Sequence, residues 1–136
     1  MNFNCNNHIE SFTKEGAVNL DEESYEDKLS EKPLKIPAGT YTFVYDYPLT
    51  TEAQFQHPIT PKTSIIDVLL LAKADYQAIY DAEESKSGNP GYIPGMLNRQ
   101  VSKGPYGIWG HDMSDLYFEG VEVNTKKMTV TFSIGS

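Results

Sequence analysis

The densest group of side chains able to do chemistry lies between Asn98 and Asp115: Asn98, Arg99, Ser102, Lys103, Tyr106, Trp109, His111, Asp112 and Asp115. An imidazole titrates near pH 6.5, so His111 beside the carboxylate of Asp112 has the makings of a general base. Arg99 supplies a guanidinium fork that can clamp an anion, and Asn98 an amide that can hydrogen-bond it. These four residues describe a small enzyme or ligand-binding domain acting on an anionic substrate. The competing reading is local: neighbours in sequence often point apart, and Asp112 or Ser114 can bond the backbone of a turn.

Other chemistries find less support. A metal site needs three or four ligands, and His57, His111, Asp112 and Asp115 could provide them only if the distant His57 folded beside the rest. No HxH, HxxxH or CxxC spacing occurs, so no metal and no cofactor is expected. Gly104-Pro105-Tyr106-Gly107 lacks the glycine spacing that cradles phosphates, and Ser102, Ser114 and Cys5 sit in no nucleophile elbow.

The same region is rich in residue types that make protein contacts. Tyr92, Met96, Asn98, Arg99, Tyr106 and Trp109 lie in or beside a stretch from Gly88 to Gly107 that holds five glycines and three prolines. A long loop of this composition displayed on a rigid sheet makes a recognition surface. Absent any catalytic signature, the expectation is a non-enzymatic protein-binding or adaptor domain using the 88–107 loop. The plain alternative for Trp109 and Ile108 is that both are core.

Positioning those residues requires a scaffold, and its elements show in the patterning. Residues 1–35 carry eight acids and four lysines among few large apolar side chains. Such a segment cannot offset its ordering entropy and is expected to be a disordered acidic arm, with the folded domain spanning 36–136. Tyr41, Phe43, Tyr45 and Tyr47 alternate along a first strand, and Ala53 to Ile59 returns as a second, with Pro58 on an edge or at the strand end. Ser64 with Asp67 three residues on starts a helix. Ile65, Leu69, Ala72, Tyr76 and Ile79 form its buried stripe, widened by Ile66, Leu70 and Tyr80. Lys73, Asp75, Gln77 and Asp81 fall on its solvent side, and Glu83 to Gly88 dissolves into the loop. Leu116–Val123 and Met128–Ile134 alternate as a closing hairpin about Asn124–Lys127.

The fold class is therefore α+β: a hairpin, one long helix on one face of a mixed sheet, then C-terminal strands. Pro61-Lys62-Thr63-Ser64-Ile65-Ile66-Asp67-Val68 resembles the helix start of ubiquitin-like (β-grasp) proteins. Gly107-Ile108-Trp109-Gly110 sits where their third strand and glycine turn fall, and Leu116 to Ile134 is similar to their ending. The resemblance implies a β-grasp-like sheet, but the chain ends Ile134-Gly135-Ser136 without a Gly-Gly tail, so no modifier function is carried over.

Composition narrows the partners. The 136 residues suit one domain, and a formal net charge of −8 argues against nucleic acid. No apolar run is long enough to span a bilayer, which argues against a membrane partner. The single cysteine, Cys5, fits a reducing, cytoplasmic setting. A protein partner is the remaining expectation.

Overall fold

The computed structural model describes residues 1–6, 8–11, 17–22, 25, 29, 31–87, 105–109 and 111–136. Among these residues, seven strands and one α-helix follow in chain order: β1 Asn2–Cys5, β2 His8–Ser11, β3 Val18–Asn19, β4 Gly39–Tyr45, β5 Ala53–Ile59, α1 Ile65–Ser87, β6 Tyr117–Asn124 and β7 Thr129–Gly135. A 3-10 turn at Met113–Asp115 precedes β6.

β4 and β5 form the expected hairpin, and β6 and β7 the second one. The hairpins join through a parallel pairing of β4 with β7, in which Phe43 faces Val130 across the strands. The strand order is β2-β1-β6-β7-β4-β5, with β3 pairing to β6 beside β1. The sheet is mixed and the domain α+β, as the strand and helix patterns imply. β5 is an edge strand, which is where Pro58 is tolerated because its missing N–H faces no neighbour.

The helix begins on a capping box: the Asp67 N–H donates to Ser64 Oγ at 3.2 Å, and the Ser64 N–H to Asp67 Oδ2 at 2.9 Å. Its stripe of Ile65, Leu69, Ala72, Tyr76 and Ile79 is fully buried together with Tyr41, Phe43 and Tyr45 of β4, Val130 of β7, and Val121 and Val123 of β6. Each such side chain contributes roughly 1.5–3 kcal/mol of burial. Leu70 does not widen the stripe; it is 50 % exposed, because it lies a quarter-turn outside the seam.

Residues 1–35 depart most from expectation. Among their described residues, β1 pairs in parallel with β6, Phe3 facing Val121, and β3 pairs antiparallel with β6. Met1, Phe3, Val18, Leu20, Tyr25 and Leu29 are core residues, so the disordered-arm reading does not hold for them. Tyr25 donates its hydroxyl to the Leu20 carbonyl, and the Lys73 ammonium lies 5.9 Å over its ring, tying the segment to the helix flank. Sparse apolar residues suffice here because each enters a core already built by the rest of the chain.

The helix also runs through Ser87 rather than fraying from Glu83. Glycine 88, expected as its C-terminal cap, lies outside the described residues.

Candidate functional site

Trp109 stands at the end of the sheet where β4 exits. Its N–H donates to the Pro48 carbonyl at 3.0 Å, and Leu49 and Ile108 form an isolated antiparallel bridge. Among the described residues, this bridge is the strand-like pairing at the position where the ubiquitin-like resemblance implies a third strand. The Thr50 N–H and Oγ1 both donate to the Gly107 carbonyl, at 2.9 and 2.8 Å. Gly107 itself adopts φ 62°, the left-handed region that glycine enters without strain.

From the other side the helix holds the same segment. Glu83 is fully buried and its Oε1 accepts the backbone N–H groups of Tyr106 and of Gly107, the latter at 3.1 Å. A buried carboxylate is tolerated when charge-assisted hydrogen bonds of this kind replace its water. The sequence reading starts the loop at Glu83, but the residue continues the stripe spacing by four from Ile79, which is the signal for its burial.

Three aromatic rings gather on this frame. Tyr47 meets Trp109 edge-on at 5.4 Å and lies 6.0 Å from His111, with Trp109 and His111 6.4 Å apart. Two helix tyrosines one turn apart fix the backbone beneath them: Tyr76 donates to the Tyr47 carbonyl and Tyr80 to the His111 carbonyl, each at 2.7 Å. Burial pushes both phenols above their ordinary range; the carboxylates of Asp112 and Asp115 add to the effect at Tyr80. Ile108 is core, but Trp109 is 38 % exposed, which removes the plain core reading for it.

The acidic rim has its own order. The Asp112 N–H donates to Asp115 Oδ2 at 3.1 Å, so the side chain that bonds the backbone of this turn is that of Asp115. His111 Nδ1 lies 3.8 Å from Asp115 Oδ2, beyond hydrogen-bond reach, and the expected His111–Asp112 partnership is not formed. Burial and then the charge of Asp115 raise the carboxyl of Asp112, against the lowering effect of His111.

Tyr92, Met96, Asn98 and Arg99 lie outside the described residues, as do Ser102 and Lys103. Of the side chains expected to bind, the structure therefore describes Tyr106 and Trp109; of those expected to catalyse, His111 and Asp112.

A second polar constellation lies inside the fold. Asp75, placed by its charge on the solvent side of the helix, is 5 % exposed. It accepts the Tyr45 hydroxyl at 2.5 Å, and His57 Nε2 approaches its two oxygens at 2.8 and 3.0 Å. An ionised carboxylate only accepts, so Nε2 carries the proton and Nδ1 is left as the other ring nitrogen. No hydroxyl or thiol is bonded to that nitrogen among the described residues, and the ring instead meets Phe43 edge-on at 4.7 Å. His57 is thus paired with Asp75. No three His, Cys, Asp or Glu side chains converge as ligands among the described residues.

Among the described residues, no helix is long and apolar enough to cross a membrane. Set beside known proteins, the chain matches no family model, no curated protein and no solved structure.

Proposed function

We propose that this domain is a protein-recognition module that uses the 88–107 loop and a contact surface centred on Trp109, with Tyr47 and His111 beside it. The observation that carries the reading is an exposed tryptophan held on a backbone that is hydrogen-bonded from two sides. Tryptophan is the residue type most enriched at binding hot spots, and a pre-organised anchor loses little entropy on association. The carboxylates of Asp112 and Asp115 beside the rings favour a partner segment that presents lysine or arginine next to an apolar residue.

Within the same proposal the domain is a β-grasp relative of ubiquitin-like proteins. The support is the hairpin–helix–hairpin order and the parallel β4/β7 pair. A reducing, cytoplasmic setting fits its one free cysteine.

Panning the domain and its Trp109→Ala variant against displayed random peptides tests the reading. Enrichment of basic-apolar peptides by the parent and not by an equally stable variant is expected. Equal enrichment by both would refute it.

A further inference from the structure

β5 closes one side of the sheet, and its outer edge meets no strand among the described residues. Which of its backbone groups point outward follows from its neighbour. The Thr42 N–H donates to the Met128 carbonyl at 2.9 Å, so Thr42 and, in the same phase, Val44 turn their backbones to β7. Their opposites on β5, Gln56 and Gln54, therefore direct their N–H and C=O groups away from β4. Pro58, opposite Thr40, shares that phase, which is why its missing N–H leaves the ladder intact.

Outward main-chain groups of this kind are a template for a further strand, and soluble proteins commonly guard them with charged side chains. β5 carries no Lys, Arg, Asp or Glu from Ala53 to Ile59, and its ionisable residue, His57, is turned inward onto Asp75. The flank of α1 on this side is apolar as well: Leu70 is half-exposed and, with Leu71 and Pro58, lines a groove of about 350 Å³.

The edge is complementary to itself. With a second copy laid antiparallel about a two-fold axis at Phe55, Gln54 faces the partner's Gln56 and Gln56 the partner's Gln54, and each pair exchanges both of its main-chain hydrogen bonds. Phe55, whose ring meets Tyr45 edge-on at 5.9 Å, then stands opposite its own equivalent in the closer, non-hydrogen-bonded kind of pair, a stabilising place for two aromatic rings. Pro58 falls opposite the partner's Glu52, beyond the end of the strand. An axis at Gln56 would instead set Pro58 against the partner's Gln54 and leave that carbonyl without a donor. The register about Phe55 is thus the one that satisfies every outward group of Gln54 and Gln56.

We propose that the chain forms a two-fold dimer in which β5 pairs with β5 of a second copy and the sheet continues across the axis at Phe55. No acidic or basic residue lies in the facing pairs of Gln54, Phe55 and Gln56, so the net charge of −8 on each copy is not brought together at the seam. A foreign strand would find the same groups but no fixed register, whereas a second copy brings its own.

Sedimentation of the full chain at rising concentration tests this. A monomer–dimer equilibrium is expected, and Trp109→Ala should sediment as the parent does, because none of the paired residues belongs to the Trp109 cluster. Gln56→Pro removes an N–H that the monomer leaves unbonded and should weaken the dimer about tenfold or more, the scale of one main-chain bond lost from each copy. A second variant leaves the backbone unaltered: Gln54→Lys/Gln56→Lys sets like charges across both pairs and should be monomeric with the circular dichroism of the parent. Gln54→Glu/Gln56→Glu should be monomeric too, and an equimolar mixture of the two should dimerise. A chain that stays monomeric to millimolar concentration would overturn the proposal; shifts of the Gln54 and Gln56 amides on adding an extended peptide would then assign the edge to a foreign strand. A dimer untouched by the lysine pair, or one lost in Trp109→Ala, would overturn it equally.

Discussion

Asp75 of α1 and His57 of β5 meet at 2.8 Å across the seam between helix and sheet edge, and the carboxylate's remaining bond comes from Tyr45. The edge strand is thereby tied to the helix by polar groups where the rest of the seam is apolar. Truncation at Asp75 leaves a buried phenol and an imidazole N–H without acceptors. Asp75→Ala is expected to destabilise the domain by about 2–4 kcal/mol, and Tyr45→Phe, which removes one donor and leaves the pair, by about 1 kcal/mol. Denaturant unfolding measures both; equal losses would contradict the arrangement.

Glu83 does for the Trp109 segment what Asp75 does for the edge. Glu83→Ala orphans the N–H groups of Tyr106 and Gly107 and is expected to cost about 1–3 kcal/mol. Hydrogen exchange should quicken at those two amides, and the emission of Trp109, the sole tryptophan, should shift.

The buried phenols set an alkaline limit. Tyr25, Tyr45, Tyr76 and Tyr80 are all raised above the ordinary value near 10, chiefly by burial, and in Tyr45 also by its bond to Asp75. The folded chain then holds protons that the unfolded chain releases, so their contribution is whole below pH 10 and drains away as pH rises beyond it. Tyrosinate absorbance should appear together with loss of helical circular dichroism; ionisation of all nine tyrosines in a still-folded protein would contradict this.

At Asp112 the sign favours removal of the charge. Its raised carboxyl binds protons better in the folded than in the unfolded state, so the stabilisation exists below about pH 3.9 and is lost as pH rises. Asp112→Asn should melt at a higher temperature than the parent at pH 7, with the difference closing in acid. A lower melting temperature at pH 7 would show that the carboxylate has an attractive partner.

The helix start gives a calibration. Ser64→Ala removes the acceptor for the Asp67 N–H and should cost about 1 kcal/mol, while Ser64→Asp should retain most of the stability.

Much of the scaffold was legible because its cues are local. The Ser64–Asp67 cap, the 65–79 stripe, the alternating aromatics of β4 and the β6/β7 hairpin each declare themselves within a few residues. β1 and β3 do not, since Phe3 and Val18 gain meaning only from β6, about a hundred residues further along the chain. Asp75 and Glu83 were obscured by a different cause. Charge argues for the solvent side at Asp75 and for the loop at Glu83, and the hydrogen bonds that bury both come from β4, β5 and the Tyr106 segment. His111 and Asp112 were legible as neighbours, whereas the ring contacts with Tyr47 depend on the long-range Leu49–Ile108 bridge.

The two parallel pairings, β4 with β7 and β1 with β6, have a kinetic meaning. Each joins segments from opposite ends of the chain, so their loops must close before any ladder rewards them, which slows folding relative to a domain of local contacts. During synthesis β4 has only β5 beside it until the last strand leaves the ribosome. The emerging chain therefore presents an aromatic, unpaired strand edge until β7 has been made, and docking of that strand is the event that seals it.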